Sequence, residues 1–172
     1  MRLRGSNIRV NSLLGLPMLA MLSGIVLLIY TLLRKKNLSD TGLHIYALVK
    51  SYGFTDTVAK FVTSQAAHET AVAGIPFMSK IFNSNNNAFG MKWAGQSSAD
   101  GEKNGYAYYT SVDRSVYDYA RWWVRHRSGI TFPLLISSLD SFVKFLKNQN
   151  YFEAPEAEYL KGCNYFYKLM FG

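Results

Sequence analysis

The amino-acid sequence predicts a mainly α domain of the α+β kind, carrying one small β-hairpin and preceded by one N-terminal transmembrane helix. Three observations lead there. One early stretch is apolar on every face. Several later stretches repeat apolar residues at i, i+3 and i+4, the rhythm of a half-buried helix. One polar, glycine-containing stretch runs into a short aromatic strand. With 172 residues, of which 49% are apolar, the chain can bury a core without disulfide or metal staples. Charged residues at 17% are too few for a disordered tail or a coiled coil. Cys163, the sole cysteine, excludes an internal disulfide framework.

The first element is Leu13–Leu33, 21 residues without a charge. As a helix rising 1.5 Å per residue it would span about 32 Å, matching a hydrocarbon core of about 30 Å. A cleaved signal peptide has a shorter apolar core and a small-residue cleavage site. Here Arg34-Lys35-Lys36 follows instead, so a retained anchor over residues 1–36 is expected. Arg2, Arg4 and Arg9 precede the span and three basic residues follow it, so charge does not choose its orientation. Of 19 Lys and Arg residues these six belong to the anchor. The remaining 13 face 11 acidic residues, so the rest carries only +2. Arg121, Arg125 and Arg127 beside Trp122 and Trp123 read as a solvated helix edge, and no nucleic-acid partner is expected.

Asn37–Thr41 with Gly42 reads as a polar linker and Leu43–Tyr52 as a first helix closed by Gly53, together 37–54. The main domain is expected over 55–172. Thr55 opens its first helix, with Asp56 in the first turn. Val58, Phe61, Val62, Gln65, Ala66 and Glu69 share one face. Eleven residues separate Val58 from Glu69, three turns plus about 20°. Glu69 therefore ends the helix beneath its apolar stripe. Loss of water and the negative end of the helix dipole both raise the pKa of a carboxyl placed there, which suits a general acid. A rim glutamate paired with a lysine or arginine fits the same geometry. His68-Glu69 begins an H-E-x-x-H pattern, but Val72 stands where the second histidine would be, and no metal site is expected.

Gly74 and Pro76 break the chain over Ala71–Ser79. Ile81–Trp93, with four asparagines in five residues and then Phe89-Gly90, reads as neither helix nor strand. Asparagine amides donate and accept together, which suits sugar hydroxyls and N-acetyl groups; a plain surface loop has the same composition. Trp93–Gly105 and the aromatic Tyr106–Ser111 make the hairpin, with Asp100 and Glu102 as acids near its turn. Three helices complete the chain. Asp113–Arg127 has Val116, Tyr119, Ala120, Trp123 and Val124 on one face; Leu139–Asn148 has Phe142, Val143, Phe145 and Leu146. Glu156–Phe171 has Tyr159, Leu160, Cys163, Phe166 and Tyr167.

Three runs in this order carry a resemblance. They are Gln65-Ala66-Ala67-His68-Glu69-Thr70, then Asn86-Asn87-Ala88-Phe89-Gly90-Met91-Lys92, then Tyr109-Thr110-Ser111 followed by Ser115, Asp118 and Tyr119. Together they resemble the bacterial glucosaminidase family (glycoside hydrolase family 73), over about Val58 to Phe166. The resemblance implies a lysozyme-like fold and hydrolysis of peptidoglycan at the N-acetylglucosaminyl-β-1,4-N-acetylmuramic acid linkage. It makes Glu69 the general acid. Asn86, Asn87, Phe89 and Gly90 become the loop that shapes the cleft floor, with Trp93 and Tyr108 as further substrate contacts. It points to a second carboxylate in the hairpin, Glu102 with Asp100 as alternative, and to a functional tyrosine, Tyr159 with Tyr151 as alternative.

The expected partners are peptidoglycan glycan strands and, through Leu13–Leu33, a lipid bilayer. No cofactor and no metal enter this reading. The catalytic domain is expected to face the cell wall, from a bacterial membrane or from the membrane of a phage particle. Water activated by Glu102, with inversion, and attack by the sugar's own acetamido oxygen are both open routes. A muramidase or lytic transglycosylase, and a non-catalytic membrane-tethered wall-binding or virion protein, are the alternative functions.

Overall fold

A computed structural model describes residues 40–126 and 136–172. The expected anchor, Leu13–Leu33, lies outside the described residues. Among the described residues no helix is long and apolar enough to cross a membrane.

The domain is mainly helical with one small β-hairpin. Helix α1 runs over 40–51. It therefore begins inside the stretch read as linker. Gly42 is tolerated in its first turn because that face is closely packed: a Cβ there would stand 3.0 Å from Met170 Cε. Ile45 and Val49, one turn apart, enter the common core. Helix α2 (Asp56–Glu69) starts at Thr55, whose hydroxyl accepts the Val58 N–H at 3.3 Å, and Asp56 pairs with Lys60 one turn on at 2.8 Å. Val58 through Ala67 are buried apart from Lys60, so α2 is the central helix rather than a one-sided one. Its buried hydroxyls are satisfied within the helix, Thr63 donating to the Ala59 carbonyl at 2.8 Å and Ser64 to that of Lys60 at 2.7 Å.

Lys80–Asn85 forms a short helix, α3, where the sequence reading had neither helix nor strand. Ser79 supplies the start, accepting the Phe82 N–H at 3.1 Å, and Asn86 supplies the stop by turning left-handed at φ 49°. Two strands follow, β1 (Gly101–Lys103) and β2 (Tyr106–Tyr108), antiparallel with Glu102 opposite Ala107. Asn104 and Gly105 both take the positive φ that a two-residue hairpin turn demands. On the far edge of β2 the Ala107 N–H donates to the Met91 carbonyl at 3.0 Å, which ties the asparagine loop to the hairpin.

Helix α4 (Val112–His126) buries Val116, Tyr119, Ala120 and Trp123. Val124 is 59% exposed, against expectation, because it lies about 100° round the helix from Trp123. Helix α5 (Leu139–Asn148) opens with a reciprocal Ser138–Ser141 cap and buries Phe142, Val143 and Leu146. Helix α6 (Glu156–Phe171) lays Tyr159, Cys163 and Phe166 along α2, and α5 packs beside both.

Candidate active site

Glu69 is the last residue of α2, and α6 passes beside it. Burial pushes its carboxyl from an ordinary 4.5 up to about 7, while a hydrogen bond donated by the Tyr159 hydroxyl to Oε1 pulls the other way. The other carboxylate oxygen faces Gly90. A Cβ at that position would stand 3.3 Å from Glu69 Oε2, and the backbone is left-handed at φ 60°. A glycine there lets the loop backbone come up against the acid. The structure thus brings together Glu69, Tyr159 and Gly90. Tyr151, the alternative tyrosine, instead donates its hydroxyl to the Phe89 carbonyl at 2.8 Å.

The asparagines of the loop bond mainly to backbone. Asn87 is wholly buried: its Nδ2 donates to the carbonyls of Met91 at 2.8 Å and Ala107 at 3.0 Å, while its Oδ1 accepts the N–H groups of Phe89 and Met91. Asn85, also buried, donates to the Lys103 carbonyl at 2.9 Å. Asn86 donates to the Tyr109 carbonyl at 2.8 Å. Phe89 is buried and stacks on Tyr119, with ring centroids 3.9 Å apart. Trp93 is exposed, and Tyr108 is half-buried with the Lys103 ammonium 5.8 Å from its ring centroid.

Helix α4 supports this loop from behind. The Ser115 hydroxyl accepts the Ala88 N–H at 3.2 Å. Tyr119 donates to the Gln65 side-chain oxygen, linking α4 to α2 one turn before Glu69. Asp118 is completely buried and accepts hydroxyls from Ser98 and, at 2.6 Å, from Tyr109. Burial and that carboxylate raise the Tyr109 phenol, so it stays a donor. The sequence singled out Tyr109, Ser115 and Asp118 without a role for any of them and Tyr119 only as an apolar-face residue; together they fix the loop.

The hairpin acids are placed differently. Glu102 is exposed, and its Oε1 accepts the N–H of Gly105 across the hairpin's own turn. Asp100 is engaged as well. It pairs with Arg114 Nε at 3.0 Å and accepts both the N–H and the hydroxyl of Thr110. Among the described residues no three His, Cys, Asp or Glu side chains gather to hold a metal ion.

Sequence reasoning missed Phe152. Its ring lies parallel to that of Tyr159, with centroids 3.7 Å apart, and Lys147 braces the Phe152 segment by donating to the carbonyls of Glu153 at 3.1 Å and Ala154 at 2.9 Å. No local pattern marks Phe152, because its partner lies across a break between helices.

A family model described as mannosyl-glycoprotein endo-beta-N-acetylglucosaminidase matches residues 46–170. No curated protein and no solved structure matches the chain. The matched span takes in α2 with Glu69, the loop with Gly90, the hairpin and α6 with Tyr159, and it covers well over half of the sequence. The chain belongs to the glucosaminidase family, a family of enzymes.

Proposed function

We propose that this enzyme hydrolyses peptidoglycan at the N-acetylglucosaminyl-β-1,4-N-acetylmuramic acid linkage, with Glu69 as general acid. The observation that carries the reading is the environment of Glu69. It is a carboxyl at a helix end, shifted to about 7, held by one phenol and fronted by a bare glycine. Such a group still holds its proton near neutral pH and can deliver it to a leaving glycosidic oxygen. Tyr159 orients the carboxyl, and the loop of Asn86, Asn87, Phe89 and Gly90 forms the floor on which the sugar rests, its amides spent on holding shape. Trp93 and Tyr108 offer aromatic surface to the glycan beside it.

For the nucleophile that displaces the leaving sugar, the contacts of the hairpin favour the substrate's own acetamido oxygen; water then opens the resulting oxazolinium ring and yields its proton to the carboxylate that the first step leaves on Glu69. Glu102 is held by its own turn and Asp100 by Arg114 and Thr110, so neither stands free to activate water. Glu102 is the residue whose replacement tests that preference. Leu13–Leu33 anchors the protein in a bilayer with the domain facing the wall.

The decisive experiment digests purified peptidoglycan with the full chain in detergent, followed by borohydride reduction. Reduced N-acetylglucosamine ends are expected. Reduced muramic acid ends would make the enzyme a muramidase, anhydro-muramic ends a transglycosylase, and no new ends a non-catalytic protein.

A further inference from the structure

Gly162 lies in the interior of α6, where glycine is the poorest helix former after proline. The reason for it is a neighbour. A Cβ on residue 162 would stand 2.2 Å from His68 Cε1, 2.4 Å from Nδ1 and 2.8 Å from Nε2. The His68 ring therefore rests on the bare backbone of α6, in space that any larger residue would fill. His68 immediately precedes Glu69 on α2. Its ring meets that of Tyr159 edge to face, with centroids 4.9 Å apart and planes at 83°. Tyr159 is one helical turn before Gly162, on the same side of α6. Phe152 covers a face of the Tyr159 ring in parallel stacking. The Tyr159 ring is thus fixed on two sides, and its hydroxyl reaches Glu69.

We infer that His68 is a positioning residue for the proposed reaction: seated against Gly162, it holds the Tyr159 ring at the angle from which its hydroxyl meets Glu69. The inference rests on the proposed role of Glu69. It gives His68 a function without metal and without proton transfer. The ring acts by shape, and loss of water keeps it neutral by lowering its pKa. It also explains the glycine. A methyl group at residue 162 would drive the His68 ring off its seat and away from Tyr159.

The test uses the full chain and soluble, uncrosslinked glycan strands as substrate. Gly162→Ala is expected to lower kcat by about tenfold or more with KM within about twofold, the pattern of a misplaced reacting group rather than lost binding. The alkaline limb of the rate profile moves up. Tyr159 donates to the ionised form of Glu69, so its displacement leaves that carboxyl protonated to higher pH. His68→Ala lowers kcat less, and His68→Phe, which keeps a ring, restores most of it. The double variant is the sharpest arm. With the ring gone there is room for the new methyl, so Gly162→Ala adds nothing to His68→Ala.

Wild-type turnover and an unmoved limb in Gly162→Ala would overturn the inference, as would multiplication of the two losses in the double variant. If Gly162→Ala does not fold, unchanged kcat and limb in His68→Ala overturn it equally. Titration of the Glu69 carboxyl by carbon-13 NMR needs no substrate. It separates the two ideas: an inactive wild type sinks the proposed function, whereas an unmoved Glu69 titration in His68→Ala and Gly162→Ala sinks the role of His68.

Discussion

Glu69 ends a helix buried along most of its length, whereas Glu102 stands at the middle of a three-residue strand on the surface. Around Glu69 the packing of α2 against α6 excludes water, and the carboxyl shifts to about 7. Around Glu102 two short strands exclude almost nothing, and the carboxylate closes its own turn instead. The comparison teaches that an acid group for neutral pH is made by the large element rather than by the carboxyl. A long buried helix fixes a side chain's position and keeps water from it together; a short hairpin does neither.

The harshest way to break this comparison is Glu69→Gln. It keeps the shape and removes the proton, and a general acid is typically worth about 10²–10⁴-fold, so turnover of peptidoglycan should fall on that scale. Stability should move the other way. The folded pKa of Glu69 lies above its ordinary 4.5, so folding binds the proton more tightly. The stability this contributes is complete below about pH 4.5 and lost as pH rises to about 7. Above pH 7 the charged carboxylate costs about 3 kcal/mol, a cost that glutamine avoids. Melting temperatures of the two proteins should diverge between these pH values, the variant higher at pH 8 and level at pH 4. Near-normal turnover would remove Glu69 from the mechanism.

Tyr159→Phe sharpens the same side. It keeps the stacking on Phe152 and deletes only the hydroxyl. A hydrogen bond to a charged group is worth about 1.5–3 kcal/mol, so the rate should fall about 10–100-fold. The alkaline limb of the profile should rise, because the bond that lowers the Glu69 pKa is gone. Tyr151→Phe, which frees only the Phe89 carbonyl, should leave that limb in place.

Between the two carboxylates lies the asparagine loop, and it marks the limit of what the sequence discloses. The start of α2 and the full extents of α5 and α6 were readable, because an apolar period shows in each, joined at α2 by the Thr55 cap and Asp56. The place of Glu69 at the end of a buried helix, and the upward shift of its pKa, were readable because angle arithmetic along one helix needs no tertiary knowledge. Tyr159 came from the family resemblance alone. The loop resisted for a physical reason: an asparagine amide that binds a sugar and one that binds a carbonyl have the same composition and spacing. Only the fold shows that Asn87 makes four bonds to backbone. The helix α3 was hidden likewise, since a cap at Ser79 and the burial of Asn85 outweigh poor intrinsic propensity. Asn87→Ala, which orphans several buried groups, should cost about 3 kcal/mol or more, and Asn86→Gly, which keeps the left-handed turn and loses one bond, about 1 kcal/mol. Urea melts of both check this, and equal losses would mean the loop is not held as described.

The smallest expected effects lie in the hairpin, and they decide between the two nucleophiles, acetamido oxygen and activated water. Glu102→Gln keeps an oxygen for the Gly105 N–H, so the turn should survive and the fold with it. If the substrate's acetamido group is the nucleophile, this variant should lose less than about tenfold in rate, far less than Glu69→Gln. Asp100→Asn serves as the structural control. It weakens a half-exposed pair with Arg114 and should lower stability by about 0.5–1 kcal/mol while leaving turnover nearly unchanged. Rates and melts for both variants should be taken on one peptidoglycan preparation, alongside Glu69→Gln. A loss in Glu102→Gln as deep as that of Glu69→Gln would reverse the comparison. It would mean that substrate binding draws Glu102 out of its turn and into the cleft, and that a second carboxylate activates the water.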